Sequence, residues 1–244
     1  MIQKMGRFMK KTMFLVFIVS ILNGVFCQDF SRIIEVKNPR MNGPDIKKMQ
    51  SILVNYGFEE LGEIDGYYGP LTEAVIKNIQ YFLGFEQNGK VNKMIWDFLF
   101  NESNNAILKN ISTVTKYNLN ELRKESSPRM GYSTEGGQVD KYYMDNELIR
   151  INLFLAGERG QVHYYFYYIN SNFYFIIKKD YKYPSHLFDM LKDEQTFWAE
   201  TIILYDTYLK KDNDLFQIMN GSFQKTDFNV YRIIEIIEGR NPNF

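Results

Sequence analysis

At 244 residues the chain carries 29 Lys and Arg against 29 Asp and Glu, so its formal net charge is zero. No basic stripe of the kind that neutralises phosphates stands out, which argues against nucleic acid as a partner. The 16% aromatic content, with 18 Tyr and 20 Phe, supports a substantial core or sugar-facing surfaces.

At the amino terminus, Lys4, Arg7, Lys10 and Lys11 precede an apolar run from Met13 to Leu22. That run is shorter than the roughly 20 apolar residues a bilayer span needs, and the pattern predicts a secretory signal peptide over residues 1–27. Val25 and Cys27 mark the expected cleavage point, and the processed chain keeps no cysteine. Removing four basic residues leaves 25 against 29 acidic ones, a mildly acidic protein. The expected location is the periplasm or cell envelope. Cys27 also offers a point for lipid attachment, but the bulky Phe26 before it argues against that. Membrane association is expected only through the signal peptide or such a lipid.

Two helices should follow. Gly43-Pro44-Asp45 opens the first, with Ile46, Met49, Leu53 and Tyr56 on its buried face and Gly57 as its stop. Gly69-Pro70 opens the second, where Pro suits the first helical position, and Leu71, Val75, Ile79 and Phe82 recur at steps of three and four. Between them lies Asp65-Gly66-Tyr67-Tyr68-Gly69, an ordered turn. A weaker echo, Asn88-Gly89-Lys90-Val91-Asn92-Lys93, leads into Trp96-Asp97-Phe98-Leu99.

Met49-Gln50, Leu53, Gly57-Phe58, Ile64-Asp65-Gly66, Gly69-Pro70, Thr72, Ala74-Val75-Ile76, Gln80, Gly84, Asn88-Gly89, Val91, Trp96 and Leu99 together resemble the small three-helix peptidoglycan-binding domain family. The resemblance runs from about Arg40 to Phe100 and implies a helical domain over residues 38–100 with peptidoglycan as its partner. Asn88, Asn92, Lys93 and Ile95 depart from the family pattern, so the second turn reads as structural. Murein presents N-acetylated sugars and short carboxylate-bearing peptides, which call for hydrogen bonders and an aromatic platform. Asp65, Gly66, Tyr67, Tyr68, Gly69 and Thr72 are the expected ligand-binding residues. Against that, Asp65 and Thr72 are of the type that closes a turn on local backbone, and one tyrosine is of the type that packs inward.

Residues 101–134, rich in Asn, Ser and charge, read as a linker with a short helix from Leu119 to Lys124 and a break at Ser126-Ser127-Pro128. Residues 135–244 read as an antiparallel β-domain. Gln138–Met144, Leu148–Ala156, Gln161–Asn170 and Phe173–Tyr183 are aromatic and β-branched runs joined by short turns, and Glu200–Leu209 with Leu215–Met219 forms a last hairpin. Val230–Glu238 fits either strand or helix. The fold class is thus α+β in two domains, a helical bundle followed by an antiparallel sheet; the β-domain is weakly similar to small envelope domains of unknown role.

No catalytic constellation emerges. His163 and His186 lack spaced acidic or His partners, no metal or cofactor motif appears, and no Gly-x-Ser-x-Gly elbow is present. The expectation is a non-enzymatic exported wall-binding protein whose β-domain adds a second surface. The alternatives are a wall hydrolase with a carboxylate pair, for which Glu135 is the first residue to test, and a scaffold for another envelope protein.

Overall fold

The computed structural model describes residues 30–240, and the expected signal peptide with Cys27 lies outside them. From Arg32 onward the chain forms one compact unit. Four helices come first: α1 (Pro44–Asn55), α2 (Pro70–Phe82), α3 (Lys93–Phe100) and α4 (Asn105–Thr115). Among the described residues no helix is long and apolar enough to cross a membrane.

Eight strands follow: β1 (Arg123–Arg129), β2 (Gly137–Met144), β3 (Glu147–Gly157), β4 (Gly160–Ile169), β5 (Asn172–Lys182), β6 (Ile202–Lys211), β7 (Asp214–Met219) and β8 (Ser222–Lys225). A short α5 (Glu194–Glu200) precedes β6, and α6 (Val230–Glu238) closes the chain. The strands pair in chain order as one antiparallel meander. Its tight turns use residues that tolerate left-handed backbone: Asp145-Asn146 at φ 47° and 68°, and Asn170-Ser171 at 49° and 62°. Two-residue turns of this hand match the twist of the strands they join. The fold is α+β, as the patterning predicts.

The segment expected as a linker is structured instead. Residues 101–134 hold α4 and β1, and the helix expected over Leu119–Lys124 is a single 3-10 turn at Leu119–Glu121. Leu108, Ile111 and Val114 bury one stripe of α4, hidden in the sequence among Asn, Lys and Thr. Pro128, expected as a breaker, sits in β1 because that strand is an edge, where a missing N–H costs no ladder bond.

The two faces of the sheet are covered differently. On one, Val139, Ile151, Leu153, Tyr164, Phe166, Ile176 and Tyr208 form a core under α6. Helix therefore resolves the open reading of Val230–Glu238: Asn229 Oδ1 caps the Arg232 N–H at 3.2 Å, and the Arg129 guanidinium donates to the Ile236 carbonyl at 2.6 Å. On the other face sits the end of α2. Phe82 meets Tyr167 at 4.9 Å and Phe175 at 4.8 Å between ring centroids, and the Gly221 N–H donates to the Leu83 carbonyl at 3.0 Å. Gly84, at φ 65°, permits this approach, because a Cβ there would stand 2.7 Å from the Ile218 carbonyl oxygen.

His163, also on this second face, contacts the rings of Phe154, Tyr165 and Tyr181, and its Nε2 has no hydrogen-bond partner among the described residues. Burial, with the Lys179 cation adding to it, holds its pKa below the ordinary value. The unfolded chain therefore takes up this proton first as pH falls, so the histidine's contribution is complete above about 6.5 and lost progressively below it. Urea midpoints should drop as pH falls below about 6.5, and His163→Phe should flatten that part of the dependence.

Candidate functional site

The helical part is organised by one device used twice. Gln50 of α1 is buried, at 1% exposure. Its Nε2 donates to Asp65 Oδ1 at 3.0 Å and to the Tyr67 carbonyl at 3.1 Å, and its Oε1 accepts from the Gly66 N–H at 2.7 Å. Gln80 of α2, at 2% exposure, repeats this on the next turn: Nε2 donates to Asn88 Oδ1 and to the Lys90 carbonyl, both at 3.0 Å, while Oε1 accepts from the Gly89 N–H at 2.8 Å. Asp65 and Asn88 each also accept from the backbone N–H two residues on, at 2.8 and 2.9 Å. Gly66 and Gly89 have φ of 80° and 70°, a conformation that favours glycine. A primary amide suits this role because it donates and accepts at once, so one buried side chain braces each turn from inside.

The clamps explain the echo between the two turns and why Asn can replace Asp in the second. In the sequence Gln50 and Gln80 stand out only as part of the family pattern, with no task attached. Each clamps the Asx-Gly turn that follows its helix, but at separations of 15 and 8 residues, so no fixed spacing exposes the pair.

The residues expected to touch a ligand divide sharply. Tyr68, one of the expected ligand-binding residues, is the tyrosine that packs inward and is fully buried; its hydroxyl donates to the Gly89 carbonyl at 2.5 Å, tying the first turn to the second. Burial pushes that hydroxyl far above the ordinary phenol range. Thr72, at 2% exposure, packs beside Gln50, and Gly66 is buried as well. These three brace the turn from inside.

Tyr67 is 47% exposed and Asp65 is exposed beside it. The hydrogen bonds from Gln50 and from the Tyr67 N–H hold the Asp65 carboxyl below its usual range, with a further contribution from the Arg40 charge. Gly69 is half-buried at the start of α2, and Leu71 next to it is 60% exposed. The outer face of the loop therefore offers an aromatic ring, an apolar side chain, a carboxylate and the exposed Arg40, which sequence reading did not select. Such a face can stack on a sugar ring and hydrogen-bond to amide and carboxylate groups.

A partly buried ion pair locks the chain entering this unit. Arg32 reaches Asp45 with Nε at 2.8 Å and Nη2 at 2.9 Å, and also donates to the Asn42 carbonyl at 2.7 Å. Burial raises the Asp45 pKa, but the hydrogen bonds and charge of Arg32 together with the Ile46 and Asp45 backbone N–H groups outweigh it, and the carboxyl sits below its usual range. This pairing anchors the strand bridge in which the Tyr68 N–H donates to the Met41 carbonyl at 2.9 Å.

No curated protein and no solved structure matches the chain. Residues 42–99, which hold both clamped turns and the three helices around them, match the family model described as Putative peptidoglycan binding domain, the family that the sequence resemblance indicates for this stretch.

Proposed function

We propose that the protein is an exported, non-enzymatic wall-binding protein in which the outer face of the 65–71 loop engages peptidoglycan. The observation that carries this reading is the exposed Tyr67 on a turn held rigid by Gln50, within a stretch of the matching family. Rigid positioning matters because an aromatic contact ordered before binding avoids an entropic cost on binding. Export rests on the charged and apolar amino-terminal pattern, and the intact mass of the secreted chain distinguishes cleavage at Cys27 from lipidation there.

The test is retention on purified sacculi. Tyr67→Ala should weaken retention by about five- to thirty-fold, the range for an interface aromatic contributing 1–2 kcal/mol, with little change in stability because the ring is largely in solvent. Equal, negligible retention of both proteins would reject murein as the ligand, and capture of an envelope protein instead would assign the module to scaffolding. Release of muropeptides, lost in Glu135→Gln, would reject the non-enzymatic reading.

A further inference from the structure

The face of the sheet that carries α2 is only partly covered by it. Tyr167 and Phe175 lie under Phe82, whereas along the same face Asn152, His163, Tyr165, Lys179, Tyr181 and Tyr205 continue across β3 to β6 in register. Phe154, His163 and Tyr181 form an aromatic row with ring centroids 4.8 and 5.2 Å apart. Tyr205 is 53% exposed. A groove of about 460 Å³ between β6 and residues 84–87 runs on from it and shares Tyr81 and Tyr205.

Two cations stand in this surface. Arg150 lies over Tyr165 and Tyr167, at 4.9 and 4.8 Å from the ring centroids, and Lys179 Nζ lies among Tyr81, Tyr165 and Tyr205 at 5.6, 5.5 and 5.3 Å. Both therefore bear on the ring of Tyr165. Among the described residues neither has a carboxylate within 4.0 Å. The acid on this face of β2, Asp140, is already held by Lys124 at 2.8 Å, Ser126 at 2.8 Å and Gln138 at 2.7 Å. Burial and the nearby Arg150 charge lower the Lys179 pKa, which is the signature of a half-buried cation lacking a counter-ion.

We propose that this open half of the sheet face is a second binding site, taking a carboxylate-bearing glycan. The two cations without acidic partners supply charge complementarity to carboxylates. The exposed ring of Tyr205 presents a face to the polarised C–H groups of a pyranose ring, and its hydroxyl with that of Tyr181 supplies hydrogen bonds to sugar hydroxyls. An acidic peptide is the poorer fit: β3 to β6 are interior strands with both edges paired, so a peptide has no ladder to extend. The site lies apart from the 65–71 loop and does not depend on whether that loop binds murein.

The test is binding of the full chain to polygalacturonate at low salt, with uncharged dextran and polyglutamate as comparison polymers. Polygalacturonate should bind and dextran should not, with polyglutamate weaker. Binding should fall about tenfold or more in the Arg150→Gln, Lys179→Gln double variant, in line with the loss of charge-assisted hydrogen bonds. Tyr205→Ala, at an exposed position, should also weaken it without altering the fold, so a folding defect in the double variant does not decide the matter. Absent binding of polygalacturonate, binding unchanged in both variants, or polyglutamate binding as tightly would each overturn the proposal.

Discussion

Gln50→Leu is expected to destabilise the protein by about 2–4 kcal/mol, far more than loss of one surface amide. Leucine is branched and slightly larger than glutamine, so a small packing cost adds to the loss of hydrogen bonds. The hydrogen-bonding groups are another matter. The Gly66 N–H is buried and loses its acceptor, which costs about 1–3 kcal/mol, and the Tyr67 carbonyl and Asp65 Oδ1 lose a donor each. Because Gln80 makes the same contacts to Gly89, Asn88 and Lys90, Gln80→Leu should cost a similar amount. Gln50→Glu is no rescue, since it sets a second carboxylate against Asp65 and the Tyr67 carbonyl. Urea unfolding with an unchanged slope measures the effect. Losses below about 1 kcal/mol in both leucine variants would show that the clamps are not what holds the turns.

How much of this was legible beforehand follows from which forces leave a periodic mark. α1 and α2 were readable because Gly-Pro starts and stripes such as Val75, Ile79 and Phe82 report local geometry. The meander was readable because aromatic runs alternate with Asp, Asn and Gly at the turns. The division of the 65–72 residues into outer and inner was not. Tyr67 and Tyr68 are chemically identical neighbours, and only the arrival of the Gly89 carbonyl from the second turn decides which ring is buried. The clamping role of Gln50 is likewise a long-range fact, as is α4, whose apolar stripe is diluted by polar neighbours. β1 was misread because Pro128 breaks a strand only where a partner needs its N–H. The Arg150 and Lys179 surface was invisible for the same reason: β3, β4, β5 and β6 bring together residues that stand dozens of positions apart.

Phe82→Ala is expected to cost about 3–5 kcal/mol and to change the manner of unfolding. The ring is 2% exposed and sits where the helical part meets the sheet, against Tyr167 and Phe175. A segment between two architectural parts was expected to act as a linker, but the contacts through Phe82, Leu83 and Gly84 join those parts directly. Coupling of this kind makes them unfold together while the interface stands, since neither part retains its buried surface once the other is lost. The unaltered protein should therefore give coincident transitions by far-ultraviolet and tyrosine signals, and Phe82→Ala should separate them. Gly84→Ala probes the same junction by another route: a side chain at φ 65°, 2.7 Å from the Ile218 oxygen, forces backbone apart and should cost more than about 1 kcal/mol. A single coincident transition in both variants, with Phe82→Ala losing less than about 1.5 kcal/mol, would mean that the helical part and the sheet are held together by something other than this contact.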